Sequence, residues 1–167
     1  MNNSKPDPQY YRKEIEKQHY DSISLKYSPC KEFGSNLMIP ACRAPYIYIE
    51  EYLKKDPYIN NKSIIDYACG SGFFSVYLAK LGIKKVVGVD ISPESVKCAK
   101  KYAIFHGVGS NCEFKVGDCE QLEFTDNEFD YLVSLGNLSC LNLDVAVHEI
   151  ARVLNNHGTA LILDTLG

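Results

Sequence analysis

The stretch "IIDYACGSGFF", residues 64–74, runs from two isoleucines through an aspartate into small residues and then into two phenylalanines. Its apolar start predicts a short β-strand, "SIIDY". Its aromatic end opens a predicted helix, "FFSVYLAKLG", with Phe74, Leu78 and Leu81 on one face. Gly70 and Gly72 permit a tight turn and a close ligand approach, because neither carries a Cβ. The stretch therefore predicts a strand, a ligand-binding loop and a helix.

The same alternation of strand and helix continues downstream. Apolar runs predict further strands at "KVVGVD", "CEFKVGD", "FDYLVSLG" and "HGTALILDT". Ser92 and Pro93 start a second helix as N-cap and first-turn proline. A third helix, "LDVAVHEIARVL", is expected to bury Leu143, Val147, Ile150 and Leu154. Because each crossover returns the chain to the same end of the sheet, we predict an α/β fold with an open, doubly wound, parallel sheet.

The first 60 residues have a different texture from the rest. The segments "QYYRKEIEKQHYDSISLKYS" and "APYIYIEEYLKKD" have helical character, and Pro57 with Asn60 and Asn61 breaks the chain before the first strand. We therefore expect an N-terminal helical cap over residues 1–60 and an α/β core over residues 61–167.

Composition excludes several classes of function. The chain has 167 residues, the size of a single domain, and a net charge of -3, which gives no reason to expect a nucleic acid partner. No apolar run approaches the ~20 residues needed to cross a bilayer. The chain has seven cysteines, an odd number, and none of them forms a CxxC motif. The N-terminal segment is polar. We therefore expect reduced thiols in a cytoplasmic protein, with no membrane partner and no metal site.

Acidic residues end three consecutive predicted strands. The carboxyl ends of parallel strands share one edge of a sheet, so Asp66, Asp90 and Asp118 are expected to surround one crevice. Asp90 lies 20 residues beyond Gly70, where a carboxylate can accept both hydroxyls of a ribose. Asp118 could reach an adenine amino group, and Asp66 could receive a cationic group or brace the loop. A strand-terminal aspartate can also cap the next helix, an alternative that applies to Asp90.

These segments resemble, in order and spacing, the successive motifs of the class I S-adenosylmethionine-dependent methyltransferases. The resemblance covers about residues 60 to 165 and rests on "IIDYACGSGFFSVYLAKLG", "VVGVDIS", "FKVGDCEQLEF", "FDYLVSLGNLSCL" and "EIARVLNNHGTALILDT". It implies a Rossmann-like sheet of strand order 3-2-1-4-5 and S-adenosylmethionine as cofactor, with S-adenosylhomocysteine as product. It also implies an enzyme that methylates a small molecule.

The resemblance implies roles for individual residues as well. The methionine end of the cofactor would be held by Asp66, Ala68, Gly70 and Gly72. The ribose and adenine would contact Asp90, Ile91, Asp118 and Cys119. The sulfonium and the acceptor would lie near Leu135, beneath Tyr20 and Tyr27 of the N-terminal cap. No catalytic base is assigned.

A nicotinamide-dependent dehydrogenase is the nearest alternative enzyme, because it also combines glycines with an acid after the second strand. Ser75 occupies the position where its fingerprint has glycine or alanine. Asp66 would also repel a pyrophosphate, whereas it suits a cofactor that carries an ammonium and a sulfonium. Both residues favour the methyltransferase.

The C-terminal part departs from the family pattern, which normally continues through two further strands. The fifth strand would then be an apolar sheet edge, so we expect a truncated form, or a second copy or partner chain that covers the edge. The same departure leaves open a non-catalytic remnant that serves as a cofactor-binding or assembly module. The ending "LDTLG" resembles bacterial methyltransferases of surface-polysaccharide pathways, which suggests a sugar-linked acceptor.

Overall fold

The computed structural model describes residues 8–26 and 40–164, which form five helices and five strands, with two short 3-10 turns. The helices are α1 (Pro8–Lys26), α2 (Pro40–Leu53), α3 (Phe73–Lys80), α4 (Pro93–Phe105) and α5 (Leu143–Val153). The strands are β1 (Ser63–Tyr67), β2 (Lys85–Asp90), β3 (Cys112–Val116), β4 (Phe129–Leu135) and β5 (Leu154–Leu163). The 3-10 turns are Ile59–Asn61 and Leu138–Cys140.

The five strands form one parallel sheet in the order β3-β2-β1-β4-β5, which confirms the predicted fold class and strand order. β1 is central, and Asp66 at its carboxyl end is in register with Gly88 of β2 and Val133 of β4. All carboxyl ends therefore lie at one edge of the sheet. In the described part of the chain β5 pairs with β4 alone, and the expectation that another chain covers its outer side stays a prediction.

Hydrophobic clusters cover both faces of the sheet. On one face Ile65 and Tyr67 of β1 pack with Ile150 and Val153 of α5. On the other face Ile64 packs with α3 and also with α2, through side chains that are at most 1% exposed: Ile49, Leu53 and Leu78. α2 therefore shares a hydrophobic core with β1. The proposed division at residue 60 between an N-terminal cap and an α/β core stays a prediction.

The face that α5 buries was predicted incorrectly. Leu143 and Val147 are 52% and 57% exposed, whereas Ala146, Ile150 and Val153 are buried. Positions 146, 150 and 153 are also spaced as one helical face, so the periodicity alone did not separate the two faces. The small alanine at the buried position carried too little hydrophobic signal to identify the inner face. Leu154 is buried as expected, but it begins β5.

The long connection from β3 to β4 is held in place by Arg152 of α5. The Arg152 guanidinium donates to the carbonyl oxygens of Phe124 (2.7 Å) and Leu122 (2.9 Å) and to both carboxylate oxygens of Glu149 (2.8 Å each). The Glu149 carboxylate also accepts from the backbone N–H of Leu122 at 2.8 Å. This network fixes the course of the connection, whose first residues line the crevice at the carboxyl edge.

The two glycines of the β1–α3 loop differ in what surrounds them. Gly72 has φ +75°, and a Cβ there would lie 2.6 Å from Ala99 Cβ and 2.9 Å from the Phe114 ring. Gly70 has φ +52°, and a Cβ there would meet no atom within 4 Å. Gly72 therefore permits close packing of the loop against α4, whereas the space beside Gly70 is open.

We expect Gly72→Ala to destabilise the fold more than Gly70→Ala. Both alanines would carry the cost of a left-handed conformation, roughly 1–2 kcal/mol, but only the alanine at residue 72 would also overlap Ala99, at a further cost of about 1–3 kcal/mol. The free energy of unfolding from urea titration measures the difference. Equal losses in the two variants would contradict the packing role of Gly72.

Candidate functional site

The loop after β1 turns sharply over the end of β2. Ala68 adopts φ 58°, a left-handed conformation that is strained for a residue with a Cβ and typical of functional sites. The loop is fixed by the Cys69 N–H, which donates to the Val89 carbonyl at 2.8 Å, and by the Gly72 N–H, which donates to the Cys69 carbonyl at 3.0 Å. The strained turn brings the backbone of residues 68–70 to the carboxyl edge of the sheet.

Asp90, the last residue of β2, ties this loop to the start of α4. Its carboxylate accepts from the Gly70 N–H at 2.8 Å and from the Ser92 N–H at 2.9 Å. The side chain of Ser92, not that of Asp90, caps α4 by accepting from the Ser95 N–H at 3.0 Å. Burial raises the pKa of Asp90, and the two N–H donors oppose the rise. Each carboxylate oxygen keeps a lone pair for a ligand.

A first cavity of about 90 Å³ lies beneath α1 at the carboxyl ends of β1, β2 and β3. It brings together seven of the residues predicted from the sequence: Tyr20, Ala68, Gly70, Asp90, Ile91, Asp118 and Cys119. Its lining also includes Lys13, Glu16 and Glu120 beside a mainly apolar surface. The two aspartates at the strand ends suit the polar groups of a nucleoside.

A second cavity of about 230 Å³ adjoins the first, and the two share Tyr20, Ala68, Gly70 and Asn137 as lining residues. Asp66 and Leu135 line this second cavity, so Asp66 borders the space next to the one that Asp90 and Asp118 line. Burial raises the pKa of Asp66 to about 6, although its carboxylate accepts from the Ser75 hydroxyl at 2.6 Å. Gly72 is among the lining residues of neither cavity.

Ion pairs between α1 and the segment after β3 close the first cavity from above. The Lys13 ammonium contacts the carboxylates of Asp118 and Glu120, the latter at 2.9 Å, and the Arg12 guanidinium contacts Glu120. Burial would raise the pKa of Glu120, but the Asn142 N–H at 2.7 Å, together with Lys13 and Arg12, holds it below its ordinary value. Asp118 also accepts from the Glu120 N–H at 2.8 Å.

The sequence pattern did not indicate Arg12, Lys13 or Glu120 as residues of the site. Arg12 and Lys13 stand more than 100 residues from their acidic partners, so no local pattern connected them. The alternation of charges along α1 is typical of an ordinary exposed helix. For Glu120, the one signal in the sequence was its position two residues beyond Asp118.

The other end of α1 is fixed to the start of α4. The Ser24 and Ser95 hydroxyls are 2.8 Å apart, and the Asp21 carboxylate accepts from the Ser92 hydroxyl. Between the two attachments Tyr20 lines both cavities, and its closing over a bound ligand stays a prediction. The predicted position of Tyr27 falls outside the described residues.

Among the described residues, no histidine lines either cavity, and no cluster of three or more histidine, cysteine, aspartate or glutamate side chains could hold a metal ion. No helix in residues 8–26 and 40–164 is long and apolar enough to span a membrane. The ionisable groups around the cavities are therefore mainly carboxylates, opposed by Lys13.

Comparisons with known proteins agree with this geometry. A family model described as a methyltransferase domain matches residues 64–158. The chain is 32% identical over 124 residues to the ubiquinone/menaquinone biosynthesis C-methyltransferase UbiE of Rickettsia massiliae (strain Mtu5), covering 71% of this chain and 50% of that protein. It is 31% identical over 109 residues to ajmaline N-methyltransferase of Rauvolfia serpentina, covering 65% of this chain and 38% of that protein.

A solved structure, PH0226 protein from Pyrococcus horikoshii OT3, superposes with a TM-score of 0.66 at 30% identity, covering 87% of this chain and 65% of that one. The chain spans half or less of the two curated relatives named above. The family match runs from β1 into β5 and includes more than half of the chain. The chain therefore belongs to the methyltransferase-domain family, within the class I S-adenosylmethionine-dependent methyltransferases.

Proposed function

We propose that the two adjoining cavities bind S-adenosylmethionine and a small-molecule acceptor, and that the chain catalyses methyl transfer between them. The observation that carries the proposal is the buried Asp90 carboxylate, which the Gly70 and Ser92 N–H groups hold at the edge of the first cavity. A carboxylate so fixed is preorganised to accept two vicinal hydroxyls. Family membership supports the same ligand.

The residues around the first cavity fit the nucleoside part of that cofactor. Asp90 would accept the ribose hydroxyls, and Ile91 would pack against the adenine. Asp118 and Cys119 would face the adenine edge, where the Asp118 oxygens keep one lone pair each beside their contacts with Lys13 and the Glu120 N–H. The open space beside Gly70 leaves room for the ligand to approach the backbone.

The residues on the Asp66 side of the second cavity fit the amino-acid part. Asp66 is 4% exposed and would attract an ammonium group strongly, because a buried charge is weakly screened. Ala68 and the backbone up to Gly70 would lie along the chain that joins the two parts, and Leu135 would border the reacting centre. A role for Gly72 in this binding would be indirect, through the packing of the loop.

When bound, the cofactor would supply a methyl group on a sulfonium. The acceptor atom would bond to the methyl carbon as the carbon–sulfur bond breaks, the sulfur would keep the electron pair, and the acceptor proton would pass to solvent water. The described residues contribute by orienting the acceptor and excluding water. Tyr20 suits both tasks because it borders both cavities, and burial raises its pKa, which keeps its hydroxyl neutral.

The relatives bear on the chemical class of the acceptor. The relatives named above include a C-methyltransferase and an N-methyltransferase, which supports a small-molecule acceptor without fixing the acceptor atom. A sugar-linked acceptor stays a prediction, because the ending that suggested it lies largely outside the described residues. The cytoplasmic location and a second copy against β5 also stay predictions.

Replacement of Asp90 by alanine tests the nucleoside site. We expect the dissociation constant for S-adenosylhomocysteine in calorimetric titration to rise by roughly 10- to 150-fold, because hydrogen bonds to a charged acceptor are lost. Asp126→Ala is the matched control, since Asp126 is exposed and pairs with Arg152 away from the cavities. An unchanged constant in the Asp90 variant would remove the ribose role. Tight binding without turnover on any acceptor would favour the non-catalytic module.

The affinity for S-adenosylhomocysteine should depend on pH through Asp66. The pKa of this carboxyl is raised to about 6, so the carboxylate that attracts the ligand ammonium is present above that pH and becomes protonated below it. Affinity is therefore expected to fall as the pH drops from 7 to 5. In Asp66→Asn it should be weak at pH 7 and flatter with pH. A parallel decline in the variant would assign the effect to another group.

Asp66→Asn should also stabilise the unliganded protein at neutral pH. In the folded state the carboxyl titrates near pH 6 instead of its ordinary 3.8, so the folded state binds the extra proton between these values and stability falls as pH rises through that window. Asparagine avoids this cost, which is at most about 3 kcal/mol, and can still accept from Ser75. Urea titrations should show the gain in full above pH 6 and lose it below pH 4. A destabilised variant at pH 7 would refute this cost.

A further inference from the structure

The second cavity has an aromatic wall where α2 meets the start of α3. The Tyr46 ring stands edge-to-face with Phe73, at a centroid distance of 5.5 Å and an angle of 81°, and with Phe74, at 5.0 Å and 70°. All three rings line the cavity, and Ile23 of α1 lines it from another side. Phe74 is buried, whereas Tyr46 and Phe73 are half-buried, so these two rings offer surface to a ligand.

Four of the polar side chains around this cavity, those of Ser24, Asp66, Ser95 and Asn137, make hydrogen bonds within the protein. The Ser24 and Ser95 hydroxyls are 2.8 Å apart, and the Asn137 amide donates to the carbonyl oxygens of Tyr67 and Ala68 at 3.3 Å each. The Asp66 carboxylate accepts from Ser75. Among the described residues that line the cavity there is no lysine, arginine or histidine, and Asp66 is the one carboxylate. None of the described lining residues would neutralise a phosphate.

The position of the aromatic wall relative to the first cavity assigns it a role, which rests on the proposed function. The amino-acid end of the cofactor would occupy the side near Asp66 and the loop from Ala68 to Gly70. The side bounded by Ile23, Tyr46 and Phe73 is left for the second substrate. Because the two cavities share Tyr20 and Asn137, a molecule on the aromatic side would adjoin the cofactor.

We propose that this chain methylates an uncharged, flat and largely apolar acceptor, and that Tyr46 and Phe73 are its specificity-determining residues. Two rings set nearly perpendicular to each other provide a face and an edge, an arrangement that contacts a planar ring from two directions. A pocket in which several polar side chains are already hydrogen-bonded within the protein selects against ligands that must keep many hydrogen bonds, since those bonds would be lost on entry. This chemistry disfavours sugar nucleotides and other phosphorylated acceptors.

Binding to the protein saturated with S-adenosylhomocysteine tests the proposal. The probes are 2-naphthol as a flat uncharged ring, methyl glucoside as an uncharged sugar and uridine diphosphate glucose as a charged sugar nucleotide, each titrated by calorimetry. We expect 2-naphthol to bind at least about tenfold more tightly than either sugar. Failure of S-adenosylhomocysteine to bind would overturn the proposed function itself. Normal binding of it with a preference for a sugar probe would overturn the acceptor class alone.

Variants of the wall locate the binding of 2-naphthol. Phe73→Ala and Tyr46→Ala should weaken it by about tenfold and leave the affinity for S-adenosylhomocysteine unchanged. Phe124→Ala is the matched control, because Phe124 is also half-buried in an aromatic pair, with Phe129 at 5.0 Å, and lines neither cavity. Phe73→Leu keeps apolar volume without the ring face. It should therefore restore any stability lost in Phe73→Ala but not the affinity for 2-naphthol. Equal effects of Phe73→Ala and Phe124→Ala would contradict the assignment.

Discussion

The hydrogen bond from the Gly70 N–H to the Asp90 carboxylate, at 2.8 Å, is the contact on which the rest of the site depends. It joins the loop after β1 to the end of β2 and aligns the backbone beside the first cavity. The same carboxylate orients the start of α4 through the Ser92 N–H. Since α1 is attached to α4 through Ser24 and Ser95, the position of the helix above the cleft follows from this contact as well.

The sequence predicted those parts of the site that are set by local pattern. A glycine-containing turn after an apolar strand and acids at strand ends placed Gly70, Asp90 and Asp118 at one edge, because parallel strands leave no other arrangement. Contacts between distant segments were not predictable in this way. Lys13 meets Asp118 across 105 residues, and nothing in either segment alone specifies the other.

Two further differences arise from side-chain volume. Gly72 was interpreted as a ligand-facing residue like Gly70, but its missing Cβ makes room for Ala99. The inner face of α5 was missed because Ala146 carries little hydrophobic signal although it is fully buried. Small residues at close contacts are recognisable only when the neighbouring element is known, whereas large apolar residues at periodic positions reveal a core directly.

Tyr20 lines both cavities, and this shared position has a consequence for ligand affinities. A ligand in one cavity that rotates the Tyr20 ring changes the shape of the neighbouring cavity. Thermodynamic linkage then requires the effect to be mutual. If one ligand changes the affinity of the protein for the second, the second changes the affinity for the first by the same factor. A single aromatic side chain in the shared wall thus gives the two halves of the cleft a physical route to cooperativity.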